Sequence, residues 1–150
     1  MLRISLAPLD SAALLKTFEQ DVGNAGGIVS FSGRVRSEAQ AGKVTGLHLQ
    51  AYSPMTETGI EAAMSEARQR WPLTHSLVAH RIGDMVPGDT IVFVATASKH
   101  RRAAFEAADF LMDYLKTEAV FWKRETTPSG DLWIEPRSED YSDAARWSAE

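Results

Sequence analysis

The chain has 150 residues and not one cysteine. Disulfides, thiolate metal sites and cysteine nucleophiles are therefore excluded, and a reducing compartment fits the composition. No uninterrupted apolar run reaches the ~18 residues of a membrane helix, and the opening MLRISLAPLD lacks the apolar stretch of a secretory signal. The expectation is a soluble, cytoplasmic protein. Positive charge is also scarce: 16 Lys plus Arg face 20 Asp plus Glu, for a net charge of -4. That balance opposes a general nucleic-acid or membrane-surface binder, so any cationic site must be local. Neither G-x-x-x-x-G-K-[ST] nor G-x-G-x-x-G occurs, which removes the ordinary nucleotide cradles. His48, His75 and His80 have no metal-ligand spacing and read as isolated core or surface histidines. There is no repeat, linker or low-complexity block, and the length suits one domain spanning 1–150.

What is present alternates between the two periods of secondary structure. Leu2, Ile4 and Leu6 alternate with polar residues as a strand does, and Asp10 is placed to cap a helix over Ala12 to Gln20. GIVSFSGRVR reads as a strand, SEAQAGK as its polar turn and VTGLHLQAY as an antiparallel return. TETGIEAAMSEARQRW carries Ile60, Met64, Ala67 and Trp71 at helical intervals, with Thr56 as the expected N-cap and Pro72 as the stop. HSLVAHRIGDM and TIVFVATAS, joined through Pro87-Gly88-Asp89, read as the buried centre of a sheet. From Ser98 onward Phe105, Ala108, Met112 and Leu115 mark a long helix. AVFWKRE then switches to period two, TPSGD turns, and DLWIEPR forms a last strand before a polar, flexible tail over about 138–150. The order β α β β α β β α β β describes an α+β domain with helices on a largely antiparallel sheet.

Three basic groups stand out. Lys99, His100, Arg101 and Arg102 open the long helix, where the dipole disfavours cations by about 0.3–1 kcal/mol each. They are either a solvated basic cap or a phosphate site. Arg34 and Arg36 share a face at a strand end, as an anion fork or as surface charge. Lys116 ends the long helix, where capping alone accounts for it, and Lys123 follows Phe121 on a strand, where its stem can snorkel over the ring. If the two ammonium groups are close, each lowers the other's proton affinity and favours a neutral, nucleophilic or proton-shuttling amine. From His100 to Lys116 the helix runs about 24 Å, at ~1.5 Å per residue. One small ligand cannot touch both ends, so a site using both must lie between two copies of the chain.

FSGRVR, Met55-Thr56-Glu57, RWPL, HRIGDMVPGD, SKHRRAAFEA, MDYLKTEAVFWKRE and GDLWIEPR together resemble the large, catalytic subunit family of molybdopterin synthase, from about Gly27 to Arg137. MDYLK-x-x-A-x-FWK-x-E carries the likeness most specifically. The resemblance implies an α/β-hammerhead type of fold and a homodimer flanked by two small ubiquitin-like sulfur carriers, a heterotetramer. It implies a sulfurtransferase that moves two sulfurs from the carrier's C-terminal Gly-Gly thiocarboxylate to cyclic pyranopterin monophosphate, forming the dithiolene of molybdopterin. No metal or cofactor is expected. Because the chain ends Trp147-Ser148-Ala149-Glu150, the carrier is expected in trans. By motif position the resemblance makes Lys116 and Lys123 catalytic, and Arg34, Val35, Arg36, His100, Arg101, Arg124 and Glu125 substrate contacts together with those lysines. Phe31, Met112 and Arg137 are the expected pocket lining. Gln50-Ala51-Tyr52-Ser53-Pro54-Met55 departs from the family's Glu-His-Tyr-Pro-Gly-Met, which bears on the turn before the second helix. The competing readings are a non-catalytic dimer that binds a phosphorylated metabolite or a ubiquitin-like tail, and a nucleic-acid binder that stacks bases on Trp122.

Overall fold

A computed structural model of the chain describes residues 1–39 and 42–148. Gln40 and Ala41 in the expected SEAQAGK turn, and the last two residues of the expected tail, lie outside the described residues. The elements run β1 (Leu2–Ser5), α1 (Ser11–Gln20), β2 (Gly27–Arg34), β3 (Glu38–Ala39), β4 (Gly42–Lys43), β5 (Gly46–Ala51) and α2 (Met55–Arg70). They continue with β6 (Leu73–Arg81), β7 (Gly83–Met85), β8 (Thr90–Ser98), α3 (Arg101–Thr117), β9 (Phe121–Thr127), β10 (Gly130–Ile134), α4 (Ser138–Ala145) and a 3-10 turn, Arg146–Ser148. A first sheet has the order β1-β6-β8-β2, a second the order β10-β9-β5-β7, and β3 and β4 form a two-residue ladder. All pairings are antiparallel except β1 with β6. The α+β class expected from the sequence is the one found.

The first sheet is covered on both faces. Leu14 and Phe18 of α1, with Val22, pack on Leu77, Ala79, Phe93, Ala95 and Ala97. On the other side Ile60, Met64 and Ala67 of α2 and Phe110, Leu111 and Leu115 of α3 pack on Val78, Val92 and Val94. Adjacent strand residues thus enter different cores, which is why β6 and β8 read as continuous apolar runs. Each fully buried Leu, Ile or Phe contributes roughly 1.5–3 kcal/mol of transfer energy. A third cluster, Val35, Leu47, Leu49 and Met85, lies under the second sheet, and Phe121 packs against both it and the α2/α3 core.

Local chemistry confirms some boundaries and moves others. Asp10 caps α1 as expected, its carboxylate accepting the Ala13 N–H at 3.1 Å, and α2 ends before Pro72. The strand expected through Met85 breaks at Ile82, just before Gly83, whose φ of 89° suits glycine. Beyond that break β7 joins the second sheet. The long helix starts later than expected: Ser98 closes β8 and His100 is the N-cap of α3. Thr56 is not an N-cap, because α2 already begins at Met55 after Pro54. It is fully buried, and its hydroxyl accepts the Tyr52 N–H at 2.8 Å and donates to the Val120 carbonyl at 2.5 Å. The polar tail also differs from its reading as flexible. Its helix α4 and 3-10 turn fold back on α3, where Arg146 reaches Asp109 at 2.7 Å and Asp113 at 2.8 Å. The Trp147 indole N–H donates to Asp113 at 2.6 Å, and its ring meets Trp71 and Phe110 edge-on. No helix among the described residues is long and apolar enough to cross a membrane.

Candidate functional site

The chain reverses between α3 and β9. The Glu118 and Ala119 N–H groups both donate to the Tyr114 carbonyl, at 2.8 and 3.0 Å, ending the helix at Thr117, one residue past Lys116. Phe121 N–H donates to Ala119 at 3.0 Å, and Thr56 holds the Val120 carbonyl. β9 then runs back antiparallel to β5, placing Lys123 opposite Leu49 and Phe121 opposite Ala51. Two-residue alternation puts Phe121, Lys123 and Glu125 on the inner face and Trp122 and Arg124 on the outer one. Lys123 accordingly returns toward Lys116, the exposed cation of the last helical turn.

The electrostatics record that proximity. Burial holds the Lys123 ammonium below its ordinary value, the Lys116 charge pushes it further down, and Arg36 acts in the same direction. Glu125 and Asp140 oppose the shift. His80 lies close by: its ring stacks on Phe121 with centroids 4.2 Å apart and planes 25° apart. Burial lowers its pKa to about 4, with further lowering from Lys116 and Lys123, against a hydrogen bond to the Arg81 carbonyl. The imidazole is therefore neutral at pH 7.

Helix α4 brings a carboxylate to the same place. Asp140 accepts the Arg137 backbone N–H at 3.0 Å and the guanidinium at 3.0 Å. Its side chain is 13% exposed. Burial raises its pKa, but the Arg137 hydrogen bonds and charge, with Lys116 beyond, hold it below the ordinary carboxylate value. Arg137 is thus engaged by Asp140, while its side chain stays on the surface.

The basic residues at the start of α3 form a separate region. Gly26, Lys99, His100, Arg101 and Arg102 line an open cavity of ≈ 430 Å³. A Cβ at Gly26 would collide with the Lys99 carbonyl, so glycine lets the β2 approach pass close to this turn. His100 and Arg101 are exposed, and His100 makes no side-chain cap bond. Lys116 sits at the opposite end of the same helix.

The remaining expected residues are dispersed around these two regions. Arg34 donates to the Gly88 carbonyl at 3.3 Å. Val35 is buried and ties the loop by exchanging backbone bonds with Asp89 and Gly88, at 2.9 and 2.8 Å. Phe31 is 45% exposed on β2, and Met112 packs half-buried on the α2/α3 core. Arg124 points away from Lys123, with its guanidinium 5.8 Å from the Trp133 ring centre and Nε 3.7 Å from Asp131. Near the lysine site also lie Asp140, not singled out from the sequence, His80, read there only as a core or surface histidine, and Thr56, read there as a helix cap. Only His80 left a signal, a polar ring inside the apolar LVAH run.

A family model described as MoaE protein matches residues 4–118. The chain is 52% identical over 122 residues to the molybdopterin synthase catalytic subunit of Escherichia coli (strain K12), covering 81% of each. Against the molybdopterin synthase catalytic subunit of Pseudomonas aeruginosa it is 43% identical over 146 residues, 97% of each. Among solved structures, the molybdopterin biosynthesis MoaE protein from Burkholderia ambifaria superposes with a TM-score of 0.84 at 40% identity, covering 100% of this chain and 99% of that one. A protein-protein complex of subunits 1 and 2 of molybdopterin-converting factor from Helicobacter pylori gives a TM-score of 0.77 at 25% identity, with 91% and 92% covered.

Proposed function

The chain belongs to the MoaE family of molybdopterin synthase catalytic subunits, and from that premise we propose that Lys116 and Lys123 carry the chemistry converting cyclic pyranopterin monophosphate to molybdopterin. The observation that supports this most is the return of a half-buried Lys123 to Lys116, with its ammonium destabilised by burial and by that neighbour. A larger neutral fraction at neutral pH suits an amine that takes or gives a proton, or that is transiently acylated beside a thioester.

The sulfur arrives as the C-terminal thiocarboxylate of a small ubiquitin-like carrier. Its sulfur forms a bond to a pterin side-chain carbon as the C–O bond at that carbon breaks, the oxygen leaving on the opened phosphate or as water, and the carrier stays attached as an acyl thioester. Hydrolysis, or capture of the acyl group by a lysine amine followed by hydrolysis, then frees the carrier carboxylate and leaves the sulfur on the pterin. A second round places sulfur on the neighbouring carbon, the cyclic phosphate opens in one of the two rounds, and loss of water across the two carbons leaves the dithiolene double bond. Lys116 is the indispensable amine and Lys123 its acid-base partner, while Arg36 and Glu125 border the reacting carbons.

His100 and Arg101, on the free N–H groups of α3, suit the substrate phosphate. Since Lys116 is about 24 Å away along the helix at ~1.5 Å per residue, the phosphate end is supplied by a second copy, in a homodimer carrying two carriers. The complex works in the cytoplasm. With thiocarboxylated carrier and precursor, the purified protein is expected to form molybdopterin, and Lys116→Ala to stop it with the circular dichroism unchanged. Full turnover in that variant would remove Lys116 from the mechanism.

A further inference from the structure

His80 belongs to the first sheet, where it pairs with Val92 of β8 and Ile4 of β1. It is 6% exposed, and the run before it, Leu77, Val78 and Ala79, is wholly apolar. A histidine is an expensive residue for such a place unless its polar atoms are engaged. One of them is: Nδ1 lies 3.0 Å from the Arg81 carbonyl oxygen. A carbonyl only accepts, so this contact assigns the ring proton to Nδ1 and holds the ring in one plane.

That plane lies 25° from the Phe121 ring, at a centroid distance of 4.2 Å. Phe121 is in the second sheet, opposite Ala51, and precedes Lys123 by one strand repeat on the same face. Among the described residues no strand of one sheet pairs with a strand of the other. The stack is thus a side-chain link between the sheets at the point where β9 begins.

Resting on the reading of Lys123 as a catalytic residue, we propose that His80 is a positioning residue: its ring, oriented by the Arg81 carbonyl and stacked on Phe121, fixes the start of β9 and hence the place of Lys123 beside Lys116. A neutral ring suits this task, since an imidazolium there would add a third cation to the pair. The link also gives the FWK run a mechanical logic. Phe121 is the anchor and Lys123 the group it aims.

The test compares His80→Ala, His80→Gln and His80→Phe, each assayed with carrier and precursor and each followed by NMR titration of the Lys123 side chain. Losing the stack in His80→Ala and His80→Gln is expected to lower kcat by roughly ten- to a hundredfold, the scale of a sub-ångström to ångström misplacement. KM for the precursor stays constant, and the Lys123 titration moves up toward that of an ordinary lysine. His80→Phe restores the stack and is expected to recover most of kcat and the low Lys123 titration. A folded His80→Ala with unaltered kcat and Lys123 titration overturns the proposal, as does a folded His80→Phe as impaired as His80→Ala. Should His80→Ala not fold, the His80→Gln and His80→Phe pair decides. Lys123→Ala serves as the control: if it keeps full turnover, the catalytic reading fails, while the titration in the His80 variants still reports whether His80 places Lys123.

Discussion

Lys123 and His80 respond to the same surroundings in opposite chemical roles. Lys116 is the second cause of the lowered Lys123 pKa, after burial. Replacing Lys116 by Met keeps the stem and removes the charge, so Lys123 is expected to titrate higher in Lys116→Met than in the wild type, as read by NMR. No change would show the two ammonium groups to be electrostatically independent. For His80 the folded value of about 4 lies below the 6.5 of an ordinary imidazole. A depressed folded pKa means that the unfolded chain takes up the proton first as pH falls. The stability conferred by keeping His80 neutral is complete above about 6.5 and is lost progressively down to about 4, a total of roughly 3 kcal/mol. His80→Phe, which has nothing to protonate, is expected to show a flatter decline in urea-unfolding stability between pH 7 and pH 4.5. A parallel decline in both proteins would sink the assignment. The paired lysines were legible in the sequence as residues, and each had an ordinary explanation alone. What the sequence did not carry is the ring beneath them, because His80 and Phe121 lie far apart in the chain and on different sheets.

At the scale of elements, the turn from α3 to β9 decides whether two lysines become one site. Its main tertiary tie is the Thr56 hydroxyl, bonded to Tyr52 N–H and to the Val120 carbonyl. Thr56→Val keeps the shape and leaves both buried groups unpaired, at a cost of about 1–3 kcal/mol. The expected result is a lower unfolding midpoint together with a kcat defect, measured by urea denaturation and turnover. The switch from helical to strand period at Val120 was legible, since period is a local property. Thr56 was misassigned because hydroxyl residues at helix starts are usually caps, and here the partner is a carbonyl distant in sequence. The tail was misread for the same reason. Helix α4 follows Arg137, an unusual cap, and the 3-10 turn after it is held through Arg146 and Trp147 by Asp109, Asp113, Trp71 and Phe110. Composition alone makes such a segment look unstructured.

At the scale of the whole molecule, α3 holds His100 and Lys116 at its opposite ends, so a single site that uses both, as proposed above, needs two chains. With a two-fold arrangement each site takes Lys116 from one copy and His100 from the other. Lys116→Ala and His100→Ala then each damage both sites of their own dimer. In a mixed dimer of the two variants, one site collects both defects and the other collects none. Co-expressed variants that assort at random are therefore expected to recover roughly a quarter of wild-type turnover, since half the dimers are mixed and each holds one intact site of two. Separately purified variants assayed before exchange stay inactive. A site built within one chain gives no recovery at any mixing ratio, because every copy then keeps its own defect. The recovery, measured as molybdopterin formed per dimer, distinguishes a shared site from two that merely lie in the same assembly.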